Sequence, residues 1–169
     1  TRRSFPSWGY MISKGATTLW ERWGGYKFFD AGMNSLNHHM FGTVVDFFYR
    51  EIAGIAPAAP GWKRVRIRPR PLGDLTCAAG SVLTVRGRVA ASWEKAGRGL
   101  RLDVSLPANM RGEVHVPLTN TGEGQIQEGG IEVWDGGPTG AEPGGILSAE
   151  RAGNAVRFTV GSGDYVFRT

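Results

Sequence analysis

From Lys63 onward, apolar residues recur at every second position, and this period of two most constrains the fold. Lys63–Arg68 alternates basic and apolar side chains. Runs at 81–85, 87–93, 100–106, 113–116, 155–160 and 164–167 do the same, and weaker runs stand at 131–134 and 145–148. Each is short and bounded by Gly, Pro or Asn, as strands with one buried and one wet face should be. The spacing predicts an antiparallel β-sandwich, jelly-roll-like, of about seven to nine strands over residues 62–169. The Gly-rich stretch 122–145 reads as a loop-heavy excursion.

Before Ala56-Pro57-Ala58-Ala59-Pro60-Gly61 the grammar differs. Of the 18 Phe, Trp and Tyr residues, 12 lie in the first 49 positions, so the composition changes near Ile55–Gly61. Pro6–Ile12 predicts a short helix opening with Pro and closed by Gly15. Phe41, Val44, Val45, Phe48, Ile52 and Ile55 recur at three and four, which predicts one amphipathic helix ending near Gly54. Gly24, Gly25 and Gly32 place a loop between the two helices.

Composition excludes several classes. The formal charge of +5 is modest and spread along the chain, so it bears on solubility more than on partners. The stripe Arg64, Arg66, Arg68, Arg70 lacks the interleaved aromatics of a nucleic-acid surface and reads as a solvated face, or one docked on an acidic domain. No apolar stretch reaches membrane-spanning length. The single cysteine, Cys77, permits no intrachain disulfide and no multi-thiolate zinc site. Adjacent His38 and His39 would diverge on a regular helix or strand, which argues against a shared metal. No cofactor is implied, and nothing assigns a compartment.

The chemistry concentrates in Gly15-Ala16-Thr17-Thr18-Leu19-Trp20-Glu21-Arg22-Trp23. A carboxylate between two flat apolar rings suits a sugar site: rings pack on the C–H face of a pyranose and the carboxylate moves protons. A surface glutamate near a helix end would look the same in isolation. Trp20 and Trp23 fit a core as well as a pocket wall. A second motif follows, Met33-Asn34-Ser35-Leu36-Asn37-His38-His39, in which one histidine could cap the next helix.

Together these motifs resemble the bacterial α-L-rhamnosidases of glycoside hydrolase family 78. Pro6–Ile12 leading into Gly15–Trp23 is similar to that family's general-base segment. Arg50, Ile52-Ala53-Gly54-Ile55, Pro60-Gly61 and Ile67-Arg68-Pro69 are similar to its passage from catalytic barrel to terminal sandwich. The resemblance implies that residues 1–55 are the last helices of an (α/α)₆ barrel and 62–169 a C-terminal β-sandwich. It implies an inverting hydrolase of terminal α-L-rhamnosides, with Glu21 as the base and His38 directed at rhamnose hydroxyls. One of Trp20 and Trp23 would line the pocket; Asn34 and Asn37 would hold the loop. The chain starts without Met and its first residues read as the interior of a longer protein. The general acid would lie upstream, so the chain alone should be inactive. Its expected partners are a rhamnoside and the rest of the barrel, with self-association of the orphaned helices. A non-catalytic carbohydrate-binding or structural sandwich is the alternative reading.

Overall fold

The computed structural model describes residues 2–25, 35–118, 124–141 and 143–169. Met33, Asn34 and Gly32, singled out above, lie outside them. The backbone forms two compact units, Thr1–Phe47 and Phe48–Thr169.

In the first unit, α1 spans Trp8–Ser13. It opens on Ser7, whose Oγ accepts the Tyr10 N–H at 2.9 Å, so a serine cap and not Pro6 starts the helix. Gly15, at φ +82°, ends it in the conformation that favours glycine. The expected long helix is broken into three pieces. A 3₁₀ turn covers Met40–Thr43 and a short α2 covers Val44–Phe47. In the second unit a π-helical turn covers Phe48–Ala53, and Ile55 enters a strand where the spacing had placed it on the helix. Among the described residues no helix is long and apolar enough to cross a membrane.

The second unit is a β-sandwich. Its strands are β1 (Ile55–Pro57), β2 (Arg64–Ile67), β3 (Cys77–Thr84), β4 (Gly87–Ala96), β5 (Gly99–Leu106), β6 (Arg111–Pro117), β7 (Gln125–Glu128), β8 (Ile131–Asp135), β9 (Ile146–Ala152), β10 (Ala155–Val160) and β11 (Gly163–Arg168). One sheet runs β1-β2-β6-β10-β9, the other β3-β4-β5-β11-β7-β8. Ten strands therefore fall after residue 62, more than the seven to nine expected. Every pairing is antiparallel except β2 with β6, where Arg64 stands opposite Arg111 and Ile67 opposite Val114. The exception has a cause: the chain leaves β2, builds β3–β5 in the other sheet, and returns beside β2 running the same way.

Alternation puts Val65, Ile67, Val114, Val116, Val156 and Phe158 on the inner face of one sheet. Val89, Trp93, Leu102, Val104, Tyr165 and Phe167 face them from the other. Phe158 and Phe167 meet between the sheets with ring centroids 4.9 Å apart. Burying each such side chain is worth about 1.5–3 kcal/mol. The π-helical turn packs on the edge of this core. Trp93 Nε1 donates to the Ile52 carbonyl at 2.7 Å, satisfying a group that the helix end would leave bare. Gly80 lies beneath it, where a Cβ would stand 3.0 Å from that of Ala53.

The arginine stripe lies on the outer face of the five-stranded sheet and is partly neutralised. Arg64 pairs with Glu113 at 3.5 Å and Arg70 with Glu51 at 2.7 Å. Half-buried His115, on β6, has its pKa lowered by burial first and then by Arg68, Arg157 and Arg66, while Glu113 opposes them. The folded state thus binds this proton more weakly than the unfolded chain does. Stability from this group is intact above its unfolded pKa of 6.5 and is lost as pH falls below that toward the folded pKa. Thermal unfolding of His115→Gln, scanned from about pH 7.5 to about pH 5.5, should show a flatter loss than the parent chain. Equal slopes would mean that His115 carries none of it.

Candidate functional site

The two motifs singled out in the sequence are hydrogen-bonded to each other in the first unit. The Glu21 N–H donates to the Ser35 carbonyl at 2.9 Å, and the His38 N–H donates to the Leu19 carbonyl at 2.8 Å. The Thr18 hydroxyl donates to the Leu36 carbonyl. Neither segment belongs to a helix or a long strand, so these bonds satisfy backbone groups that half-burial would otherwise leave exposed to cost.

The same ladder fixes the carboxylate. Ser35 donates its N–H to Glu21 Oε2 at 2.7 Å, a short, charge-assisted bond. Glu21 is half-buried. Its Oε1 accepts no hydrogen bond among the described residues. A carboxylate pinned by one oxygen keeps a lone pair of the other at a set angle, which is what proton abstraction from water requires. Ser35 has no signature as a partner, because it acts through its backbone N–H.

His38 is held by its own turn. Its Nδ1 accepts the Met40 N–H at 3.1 Å, at the start of the 3₁₀ turn. With Nδ1 an acceptor, the proton of the neutral imidazole sits on Nε2, which can donate outward. The His38 and His39 rings are stacked, centroids 4.8 Å apart and planes 12° from parallel. They do not diverge as expected, because the backbone here is a turn and follows neither helical nor strand geometry. Among the described residues no group of three or more His, Cys, Asp and Glu is placed to hold a metal.

Both tryptophans are packed. Trp20 is buried against Gly25, where a Cβ would come within 2.5 Å of its ring. Trp23 is half-buried in an aromatic cluster: it stacks on Phe41 at 3.9 Å and meets Trp8 edge-on at 5.2 Å. Trp8 and Phe41 had been read only as members of the two predicted helices, and nothing in their spacing marked them as neighbours of Trp23.

The model of the bacterial alpha-L-rhamnosidase 6 hairpin glycosidase domain matches residues 1–52, and that of the bacterial alpha-L-rhamnosidase C-terminal domain matches residues 54–131. The chain belongs to the bacterial α-L-rhamnosidases, as part of the six-hairpin domain with the C-terminal domain behind it. An alpha-L-rhamnosidase of Streptomyces avermitilis is 43% identical over 122 residues, 69% of this chain and 12% of that protein. One from Formosa agariphila is 42% identical over 122 residues, 70% of this chain and 13% of that protein. The alpha-L-rhamnosidase structure from Dictyoglumus thermophilum superposes with a TM-score of 0.82 at 39% identity, covering 99% of this chain and 18% of that one. The Streptomyces avermitilis enzyme complexed with L-rhamnose gives 0.78 at 35% identity, covering 99% and 15%. The chain thus spans about an eighth of the curated relatives it matches.

Proposed function

We propose that this chain supplies the general-base segment and the terminal sandwich of an inverting α-L-rhamnosidase that hydrolyses terminal α-L-rhamnosides. The observation that carries this is the Glu21 carboxylate, pinned through Oε2 to the Ser35 N–H, inside a segment matched by a glycosidase-domain model. The helical residues up to Ala53 close the barrel, where the spacing had carried them to 55, and the sandwich follows, opened by β1 at Ile55 ahead of the expected 62. Glu21 takes a proton from the attacking water as that water adds to the anomeric carbon. A carboxylic acid elsewhere in the barrel, ~6.5–9.5 Å away across the sugar, protonates the departing oxygen. His38 donates from Nε2 to a rhamnose hydroxyl, and Trp23, half-buried where Trp20 is fully packed away, backs the pyranose.

With its barrel partners, the chain binds the rhamnoside; alone it lacks the acid and is inactive. The exposed Val45 and Phe47 of the first unit, and Phe48 and Tyr49 of the second, are the surfaces through which the isolated chain self-associates.

The test replaces the corresponding segment of an active α-L-rhamnosidase with residues 1–169 of this chain. The chimera should hydrolyse nitrophenyl α-L-rhamnoside and release β-L-rhamnose first, as seen by NMR before mutarotation. The α-anomer appearing first would rule out inversion. Turnover by the 169-residue chain on its own would show that it carries its own acid.

A further inference from the structure

On the outer face of the five-stranded sheet, a cleft of about 260 Å³ opens between the 68–72 segment, β6 and the β9–β10 turn. Arg68, Arg70, His115 and Asn154 line it with polar groups, and Pro71 and Pro117 line it with apolar ones. Its charge is one-sided. Arg64 is met by Glu113, Arg70 by Glu51 and Arg157 by Glu150. Arg66 and Arg68 have no carboxylate within ion-pair distance among the described residues. Both bear on His115, from β2 and the segment after it; Arg157 bears on it from β10, and Glu113 from its own strand.

The wall that carries Arg68 is fixed in place. The Arg68 N–H donates to the Gly54 carbonyl at 2.8 Å, and the Arg70 N–H donates to the Glu51 carbonyl at 3.0 Å. Asn154 is anchored by its own carbonyl, which accepts the Leu118 N–H at 2.8 Å, so its side-chain amide is not needed for the turn. Cations around a half-buried imidazole oppose its protonation, an opposition that a bound anion would relieve.

We propose that this cleft binds the oxyanion of an acidic saccharide, a carboxylate or a sulfate ester, held by Arg68, His115 and Asn154. Arg66 and Arg157 enlarge the attracting field. The prolines give the sugar's C–H groups an apolar floor. No Phe, Tyr or Trp lines the cleft, so it offers no stacking platform to a nucleic-acid base. The saccharide rests on the reading of this chain as part of a glycoside hydrolase; the oxyanion rests on the charges alone. The ligand would favour the imidazolium form of His115, so binding takes up a proton and tightens as pH falls.

The experiment is a titration of the 169-residue chain followed at the His115 imidazole C–H by NMR. An added internal standard fixes the shift scale, and His115→Gln gives the assignment. The probes are sodium sulfate, D-glucuronate, D-glucose and glucose 6-sulfate. Glucuronate should give a saturable shift at His115, tighter at about pH 5.5 than at about pH 7.5, and glucose none. A response to sulfate as well marks a site open to sulfate esters; a response to glucuronate alone marks a carboxylate site. Arg68→Gln should weaken binding about tenfold with an otherwise unchanged amide spectrum, because it removes a charge-assisted donor and leaves the backbone anchor. Sulfate binding with no binding of glucuronate or of glucose 6-sulfate, the fourth probe, overturns the saccharide. Equal response to glucose and glucuronate, no saturable response, or an Arg68→Gln chain that binds as before overturns the site. None of these readouts involves hydrolysis, so an inactive chimera and a silent His115 are separate results.

Discussion

Glu21→Gln in the chimera should lower kcat by about 10²–10⁴-fold, the range a positioned acid or base contributes. Affinity for substrate should stay within a few-fold. The amide oxygen of Gln can keep the Ser35 N–H bond that Glu21 Oε2 accepts, so the side chain holds its pose. The atom facing the water then becomes an NH₂, which donates and cannot take a proton. The measurement is steady-state hydrolysis of nitrophenyl α-L-rhamnoside beside rhamnose binding by calorimetry. A kcat within a few-fold of the parent chimera would remove Glu21 from the role of base. Loss of binding together with kcat would make it a positioning group.

The second large effect is on stability. Gly54 sits at φ +82°, and a Cβ there would lie 2.3 Å from the backbone nitrogen of Pro69 and 2.4 Å from the carbonyl carbon of Arg68. An L-residue costs about 1–2 kcal/mol in that conformation. Forcing backbone apart in a packed region costs about 1–3 kcal/mol more. Gly54→Ala should therefore destabilise the sandwich by about 2–5 kcal/mol, a large part of the ~5–15 kcal/mol of an ordinary domain. At a few degrees per kcal/mol, Tm should fall by about 10 °C. Gly153→Ala separates the two terms: Gly153 also has positive φ, at +67°, but nothing lies within 4 Å of its Cβ position. It should cost only the conformational part. Equal effects at the two positions would mean that the approach of residues 68–69 is not what requires glycine at 54.

Sequence carried the fold wherever a strand alternates strictly. In β5, Leu100, Leu102, Val104 and Leu106 are buried and Arg101, Asp103 and Ser105 are not. Strand β7 has one apolar residue, Ile126, and so no period to detect. The first half of β3, Cys77-Ala78-Ala79-Gly80, is all small residues, and its start was placed four residues late for that reason. The parallel match of β2 with β6 was also out of reach, since no local pattern encodes which distant strand becomes a neighbour. The helix expected to end near Gly54 does end there, but three- and four-residue spacing could not show that its pitch passes from 3₁₀ through α to π. In the site, Glu21 and His38 could be picked out because their side chains bear chemistry. The ladder that joins their segments is made of backbone groups, which every sequence contains alike.

The place of β11 has a consequence for how such a chain is made. It is the last strand in chain order, yet it lies inside its sheet, between β5 and β7. Each of its six residues is in register with β5, and Thr169 beyond it bonds the Leu100 backbone through both its N–H and its hydroxyl. A ribosome that has delivered β3 to β10 has delivered two half-sheets with a slot between them. The slot closes only when Gly163–Arg168 has left the exit tunnel, so the strands made before it wait for it with two inner edges open. A message cut short before β11 yields a chain with two bare inner edges, the kind of surface that chaperones and proteases recognise. Translation of β11 is thus the step that commits the domain to its fold.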